Sequence, residues 1–581
     1  MAQIILGTNE TFTVGANSTA TVVGGSGTEK LIVATGSVVT ADQNIERTEL
    51  SGNSADYTYS IAGNVITVKL GSTTVANIAG GNGDKTIAFA DGSTVLALTG
   101  NNVATLGGKA ISTSASTLAP TINTADKSTA GTTSTGTTGT GTTGTGTTGS
   151  TFTLTTGIDR GAAFVGTSNN DTFNAVDLGG AAVWTALDAI DGGAGSDTFT
   201  VTTARAIALP TSATVTGIET ATLVGTGTID LDTTTGWADL TSLTTVGADD
   251  LTLTVAATTD LVASTTKADA SSIQGGKSVT VTGSDTSTTA AATGDTLSVG
   301  TTTAPKGAVT VTYTETVSDA ADAGIAGKII AVKGGTSITV ASLATAGEGN
   351  NALDVLTLCD VNITGTTDTT TVSVTQSSAT AAYAATGDKI KITNGAVTIT
   401  DVNDGTSTAD KITSVTLANY GASTIKSAAL NSLTISESGS GNAGSLALDR
   451  TTSDTTANAT TLALNIVGGS SVGAISGTHA ADFTTVNVTT TGTTAATIAN
   501  ATFAAATTLN VSGTAALTFT DNTFAAVTAI TTGASAVTFG TTAIGTGVLY
   551  TGGAGADTFT VGATTKALTL GDGDDVVTVN A

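Results

Sequence analysis

Near the end of the chain two glycine- and aspartate-rich turns stand one fixed interval apart, and that interval constrains the fold more than any other feature. Gly552-Gly553-Ala554-Gly555-Ala556-Asp557-Thr558-Phe559-Thr560 fits the nonapeptide pattern G-G-x-G-x-D-x-U-x at every specified position. A second copy, with Leu570 in place of the first glycine, runs Gly571-Asp572-Gly573-Asp574-Asp575-Val576-Val577. Equivalent positions differ by 575 − 557 = 18, 571 − 553 = 18 and 573 − 555 = 18. Eighteen residues are two nonapeptides, which is one full coil of turn, strand, turn and strand. The two turns are therefore expected to stack on one edge, one rung apart.

Stacked turns of this kind offer carboxylates together with backbone carbonyls that glycine leaves accessible. Calcium, a hard cation that takes six to eight oxygens, suits such a donor set. Asp557 and Asp575 are the expected ligands, with Asp572 and Asp574 as further donors and Gly553, Gly555, Gly571 and Gly573 shaping the turns. A third copy, Gly192-Gly193-Ala194-Gly195-Ser196-Asp197-Thr198-Phe199, pairs with Gly166-Thr167-Ser168-Asn169-Asn170-Asp171. Here 197 − 171 = 26, so an eight-residue excursion interrupts the coil, and Asp171, Gly193, Gly195 and Asp197 join the calcium candidates. Asp401, Asp404 and Asp410 in the loop DVNDGTSTAD are weaker ones. The alternative reading of all these segments is a set of Gly/Asp turns without metal.

The core inventory agrees with thin rungs. Apolar residues make up 39% of the chain but aromatic ones only 3%. Val, Leu, Ile and Ala cannot fill a thick globular core, yet they close the narrow interior of a stacked coil. With 72 glycines and 3 prolines, tight turns are favoured over polyproline or collagen structure. One phrase recurs, an Asp followed by a small or polar residue and then alternating apolar positions. It appears at Asp171, Asp197, Asp295, Asp388, Asp410 and Asp557 at irregular intervals, so rung lengths must vary. The fold expected is all-β, a parallel β-solenoid or β-roll. Only the stretch Trp184–Ile190 and a few Ala-rich patches carry any helical signal.

The tract Ala130–Thr151, AGTTSTGTTGTGTTGTGTTGST, has no apolar side chain larger than alanine and reads as a flexible linker. It separates an N-terminal β-roll domain, residues 1–129, from a solenoid spanning residues 152–581. The first domain carries eroded copies of the pattern. Gly24-Gly25-Ser26-Gly27-Thr28-Glu29 places Glu29 at the aspartate position, and Gly80-Gly81-Asn82-Gly83-Asp84-Lys85 places Lys85 there. A lysine at that position should not bind a cation.

With 45 acidic against 19 basic groups the net charge is −26. Nucleic acid is an unsuitable partner, since nothing would release its counterions. Divalent cations are natural partners of such a surface, and acidity alone also serves solubility. One cysteine, Cys359, excludes an intramolecular disulfide framework. The N-terminus lacks the basic and apolar regions of a Sec signal peptide, and no stretch suits a transmembrane span. Catalysis is not expected. One histidine, His479, cannot build a zinc helix, and Gly469-Ser470-Ser471-Val472-Gly473 matches the nucleophile-elbow pattern without an α/β sheet around it. His479 is read as a surface turn residue.

The nonapeptides resemble those of RTX-type surface-layer proteins of Gram-negative bacteria, the Caulobacter surface-layer protein family among them. The resemblance rests on the nonapeptide positions and on the Thr/Ala/Gly-rich, aromatic-poor composition. It implies type I secretion, an extracellular location on the cell surface and an N-terminal part anchored to lipopolysaccharide. It also implies a homo-oligomeric, calcium-dependent two-dimensional lattice built by the C-terminal part. A secreted RTX-type adhesin or biofilm-matrix filament protein is the alternative. An ice-binding face from Thr-x-Thr ladders is a third reading, opposed by the irregular rung spacing.

Overall fold

A computed structural model describes the chain apart from residues 1, 7–9, 16–17, 25–27, 35, 81–83, 101, 129–148, 178–179, 268–269, 288–295, 318–324, 347–352, 380–388, 437–443, 452–457, 521–524, 541–543, 546, 563–565 and 581. The chain divides into two units, Met1–Thr138 and Gly139–Ala581. The division falls within the Gly/Thr tract, most of which lies outside the described residues. Asp295 and Asp388 of the recurring phrase also lie outside them.

The second unit is a parallel β-solenoid. Its main sheet has eighteen strands, from Thr151–Thr153 to Leu568–Thr569, each hydrogen-bonded to the strand one rung away. A second face carries an eleven-strand sheet, from Ile207–Ala208 to Ile475–Ser476, and a six-strand sheet from Ser471–Val472 to Val576–Val579. Alternation along each strand makes this possible, since every second side chain points into the coil. Val279, Val309, Ile338, Val372, Val415 and Leu433 are register partners in consecutive rungs of the main sheet and are all buried. Each such branched aliphatic contributes about 1.5–3 kcal/mol when withdrawn from water.

Rung length varies as the sequence implies. Val279 follows Leu261 by 18 residues in the ladder, whereas Ser414 follows Thr371 by 43. The excess lies in the connections, and the strands of the main sheet stay in register apart from a bulge between Thr245 and Ala248. Coils of different length thus share one sheet.

No α-helix occurs among the described residues, and the segment Trp184–Ile190 is not helical. The Asp188 carboxylate accepts the Thr185 backbone N–H at 2.6 Å, a local bond that competes with helix formation. Leu187 takes a left-handed conformation, φ 72°, and Ala189–Asp191 then pairs in parallel with Thr214–Thr216. Trp184 turns inward against Phe199 and Trp237, with ring centroids 5.4 and 6.1 Å away. These rings fill the interior of the early rungs.

The N-terminal unit is a roll only in its first part. Ala2–Ile5, Thr19–Val23 and Val38–Ala41 stack in parallel on one side, and Thr11–Val14, Glu29–Val33 and Ile45–Leu50 on the other. Beyond residue 50 antiparallel strands take over, Tyr57–Ala62 with Val65–Leu70 and Lys85–Phe89 with Gly92–Gly100. Short connections such as Ala62-Gly63-Asn64-Val65 permit only antiparallel neighbours, because a parallel return needs a longer crossover.

Candidate metal centre

The C-terminal nonapeptides stack as their spacing requires. Thr558 pairs with Val576 and Phe559 with Val577, an offset of 18. Gly571, with φ 88°, lies so close beneath the preceding turn that a methyl group there would stand 2.0 Å from the Gly553 carbonyl oxygen. The turn Gly533-Ala534-Ser535 forms a third layer, since a methyl group on Gly553 would stand 2.0 Å from the Gly533 oxygen. Its sequence departs from the pattern, with Thr532, Ser535 and Val537 where the next turn has Gly552, Gly555 and Asp557.

The two central aspartates have different surroundings. Asp557 is fully buried, and both carboxylate oxygens already accept protein donors. Its Oδ1 takes the Val537 N–H at 2.9 Å, and its Oδ2 takes the hydroxyls of Thr532 and Tyr550, each at 2.6 Å. Burial, followed by the bond to Asp557, raises the Tyr550 phenol above its ordinary range. Asp575 is half-buried and accepts the Asp557 N–H at 2.8 Å. Asp572 and Asp574 are exposed. In this ladder each carboxylate caps the amide one rung earlier.

The same ladder recurs at the third copy. Asp171 and Asp197 are buried, and Thr172 pairs with Thr198, an offset of 26. The Ser150 N–H donates to Asp171, the Asp171 N–H to Asp197 Oδ1 at 2.6 Å, and the Asp197 N–H to Glu219 Oε2 at 2.6 Å. A parallel series links Thr155, Asp159 and Asp188, where the Asp159 N–H donates to Asp188 Oδ1 at 2.8 Å. Sequence reading passed over Asp159, Asp188, Asp191 and Glu219. The first two announce themselves only as an Asp before a strand or turn, without flanking glycines.

One oxygen in this group stands apart. Asp171 Oδ2 is held by the Thr167 N–H and, at 3.0 Å, by its hydroxyl, four residues upstream. The equivalent of Thr167 one rung later is Gly193, which has no hydroxyl and whose N–H turns to Asp191 Oδ1 at 3.1 Å. Asp197 Oδ2 is therefore buried with no hydrogen-bond donor among the described residues. It lies beside Gly192, where a methyl group would stand 2.8 Å from it and 1.8 Å from the Gly217 carbonyl oxygen. Burial, reinforced by Glu219, Asp171 and Asp191, pushes the Asp197 carboxyl above the usual carboxylate range. Gly193 and Gly195 form the exposed rim of the turn. A buried, unpartnered carboxylate oxygen among three further acids suits a cation, which supplies the missing positive partner.

The remaining candidates serve as staples. Asp401 Oδ2 accepts the N–H groups of Lys411 and Ile412 at 2.6 and 2.7 Å, closing its loop. Asp410 accepts the Ala428 N–H at 2.6 Å, and Asp404 takes the Thr451 N–H and hydroxyl at 2.7 Å. In the N-terminal unit Glu29 is buried, and the Lys85 ammonium donates to the carbonyls of Gln43 and Ile45 at 2.6 and 2.8 Å. That ammonium fills a carbonyl cradle with a fixed charge of its own.

His479 is buried, not superficial. Its ring nitrogens lie 3.3 Å from Asp482 Oδ2 and 3.2 Å from the Leu430 carbonyl, and its ring packs on Phe483. Those partners, together with Arg450 on Asp482, satisfy an imidazole inside the coil. Among the described residues no three His, Cys, Asp or Glu side chains converge as a preformed metal cage. No described helix is long and apolar enough to cross a membrane. Comparison with protein-family models and with curated proteins returns no match to this chain.

Proposed function

We propose that this chain is a structural, extracellular surface-layer-type protein whose solenoid binds calcium and assembles with further copies of itself. The observation that carries the reading is the stacking of eighteen strands in one parallel sheet across connections of widely different length. Such a body is rigid in one dimension and repeats its surface from rung to rung, as a lattice or fibre subunit requires. Calcium adds to this at two places. At Asp197 it would neutralise the orphaned oxygen, with Asp171, Asp191 and Glu219 around it. At the C-terminal turns the exposed Asp572 and Asp574 and the half-buried Asp575 would hold it together with stacked turn carbonyls. Asp557 would fix the geometry from inside.

In this reading low calcium inside the cell leaves the acidic chain loosely folded, and millimolar calcium outside completes it. Export by a type I route and attachment of the N-terminal unit to lipopolysaccharide are parts of the same proposal. The test is chelation. Wild-type protein in millimolar calcium should form sheets or fibres under the electron microscope, and EGTA should dissolve them with loss of β-structure by circular dichroism. Unchanged spectra and sedimentation after chelation would refute the calcium part. Filaments in place of a two-dimensional lattice would favour the adhesin or matrix-fibre alternative.

A further inference from the structure

The outward face of the main sheet differs from that of the eleven-strand sheet. Its exposed or half-buried positions read Thr198, Thr200 and Thr202 in one rung, then Thr220, Thr222 and Val224, and Thr310, Thr312 and Thr314 further along. Thr, Ser, Asn, Ala, Val and a few Leu continue to the end of the sheet. Among the described outward residues of its eighteen strands the one charged side chain is Asp260, and Lys277 neutralises it at 2.9 Å. The eleven-strand sheet, by contrast, turns Asp230, Asp232, Lys333, Asp360, Lys426 and Asp449 outward. Apolar groups gather on the neutral face, where Val176, Val262, Val467 and Leu549 are 40–53% exposed. Val176, Thr202, Val224 and Val246 are register partners in one column.

We infer that this face is the contact surface between two copies of the chain, packed sheet to sheet. On a molecule of net charge −26 it is an extended neutral face, eighteen strands against the six of the other uncharged sheet, on which like copies approach without repulsion. Eighteen strands at about 4.8 Å extend over about 80 Å, and a four-residue width spans about 13 Å. Two copies would thus bury about 2,000 Å² in total, the size of a stable interface. A glycan is a poorer occupant, because among the described residues of these strands no aromatic platform is turned outward. Anionic polymers find no outward basic side chain on these strands. The inference deepens the self-assembly reading and rests on it.

The test charges the face without touching the core. The triple variant Thr222→Glu, Thr312→Glu, Thr416→Glu is compared with Thr252→Glu, Thr398→Glu, Thr424→Glu on the eleven-strand sheet. Sedimentation velocity in millimolar calcium should show association weakened about tenfold or more in the first and unchanged in the second. Circular dichroism of both should match wild type. The matching triple variant to lysine, mixed with the glutamate triple, should restore association, an outcome that misfolding cannot produce. Wild type that assembles while the glutamate triple assembles equally well overturns this inference and leaves the surface-layer reading intact. Wild type that never assembles overturns both. A monomeric wild type that shapes ice crystals, with that activity lost in the glutamate triple, assigns the face to ice and also overturns it.

Discussion

The substitution Asp197→Asn separates a calcium ligand from a mere turn staple, because its effect should change sign with calcium. In the wild-type fold Asp197 Oδ1 accepts the Asp171 N–H at 2.6 Å, while Oδ2 is buried without a donor. Asparagine keeps an acceptor for that amide and removes the charge. Its NH₂ can donate toward Glu219, Asp171 or Asp191, the acids that now raise the Asp197 carboxyl. A buried polar group left unsatisfied costs about 1–3 kcal/mol. In chelator, then, the variant should be more stable locally by about that amount. With calcium at about a thousand times its dissociation constant, wild type gains about 4.1 kcal/mol and should overtake the variant.

A solenoid opens rung by rung, so the readout is local hydrogen exchange over residues 172–203 rather than one melting temperature. At about 1.4 kcal/mol per tenfold, the variant should exchange roughly 5–140 times more slowly than wild type in EGTA. The order should reverse in calcium. The same group sets a pH dependence for calcium-free wild type. Its folded carboxyl holds the proton more tightly than the unfolded chain does. The resulting stabilisation is complete below the unfolded value, about 3.9, and is lost as pH rises through the raised folded value. Corrected protection of these rungs should therefore increase on acidification. Asp126, Asp260 and Asp482, whose carboxyls are lowered first by hydrogen bonds to Arg47, Lys277 and Arg450, act in the opposite sense elsewhere. Asp197→Asn less protected than wild type in EGTA, or equal calcium protection of both proteins, would refute the reasoning.

Lys85→Met leaves the Gln43 and Ile45 carbonyls without their ammonium and should cost the N-terminal unit about 1–3 kcal/mol. Calorimetry of the full chain should show that loss unrecovered by calcium; recovery would mean that the cradle accepts a metal. Cys359 is buried, and burial pushes its thiol up to about 12. Native protein should therefore resist a thiol-disulfide reagent at neutral pH and react promptly once unfolded, whereas rapid native labelling would contradict the packing of this rung.

Much of the architecture was readable from local chemistry. The spacing of 18 between Asp557 and Asp575 reappears as the pairing of Thr558 with Val576. The spacing of 26 between Asp171 and Asp197 reappears as that of Thr172 with Thr198. Alternation and small, β-branched side chains carry that information residue by residue. Trp184–Ile190 misled, because its apolar residues and alanines suit a helix while Asp188 ties the chain into a turn. His479 misled as well, since its partners Leu430 and Asp482 become visible only when the rungs are stacked.

The sequence by itself thus determined a parallel coil, its strand phase and the acids at its turns. Tertiary structure decided what those acids do. Asp557 is saturated by Thr532 and Tyr550, residues 25 and 7 positions away, while Asp197 is orphaned because Gly193 stands where the earlier rung has Thr167. It also decided that outward residues up to 43 positions apart in the chain stand side by side on one neutral face. The physical reason is the same in both cases. Alternation and turn chemistry act between neighbours along the chain, whereas saturation of a carboxylate and continuity of a surface depend on which rung lies next to which.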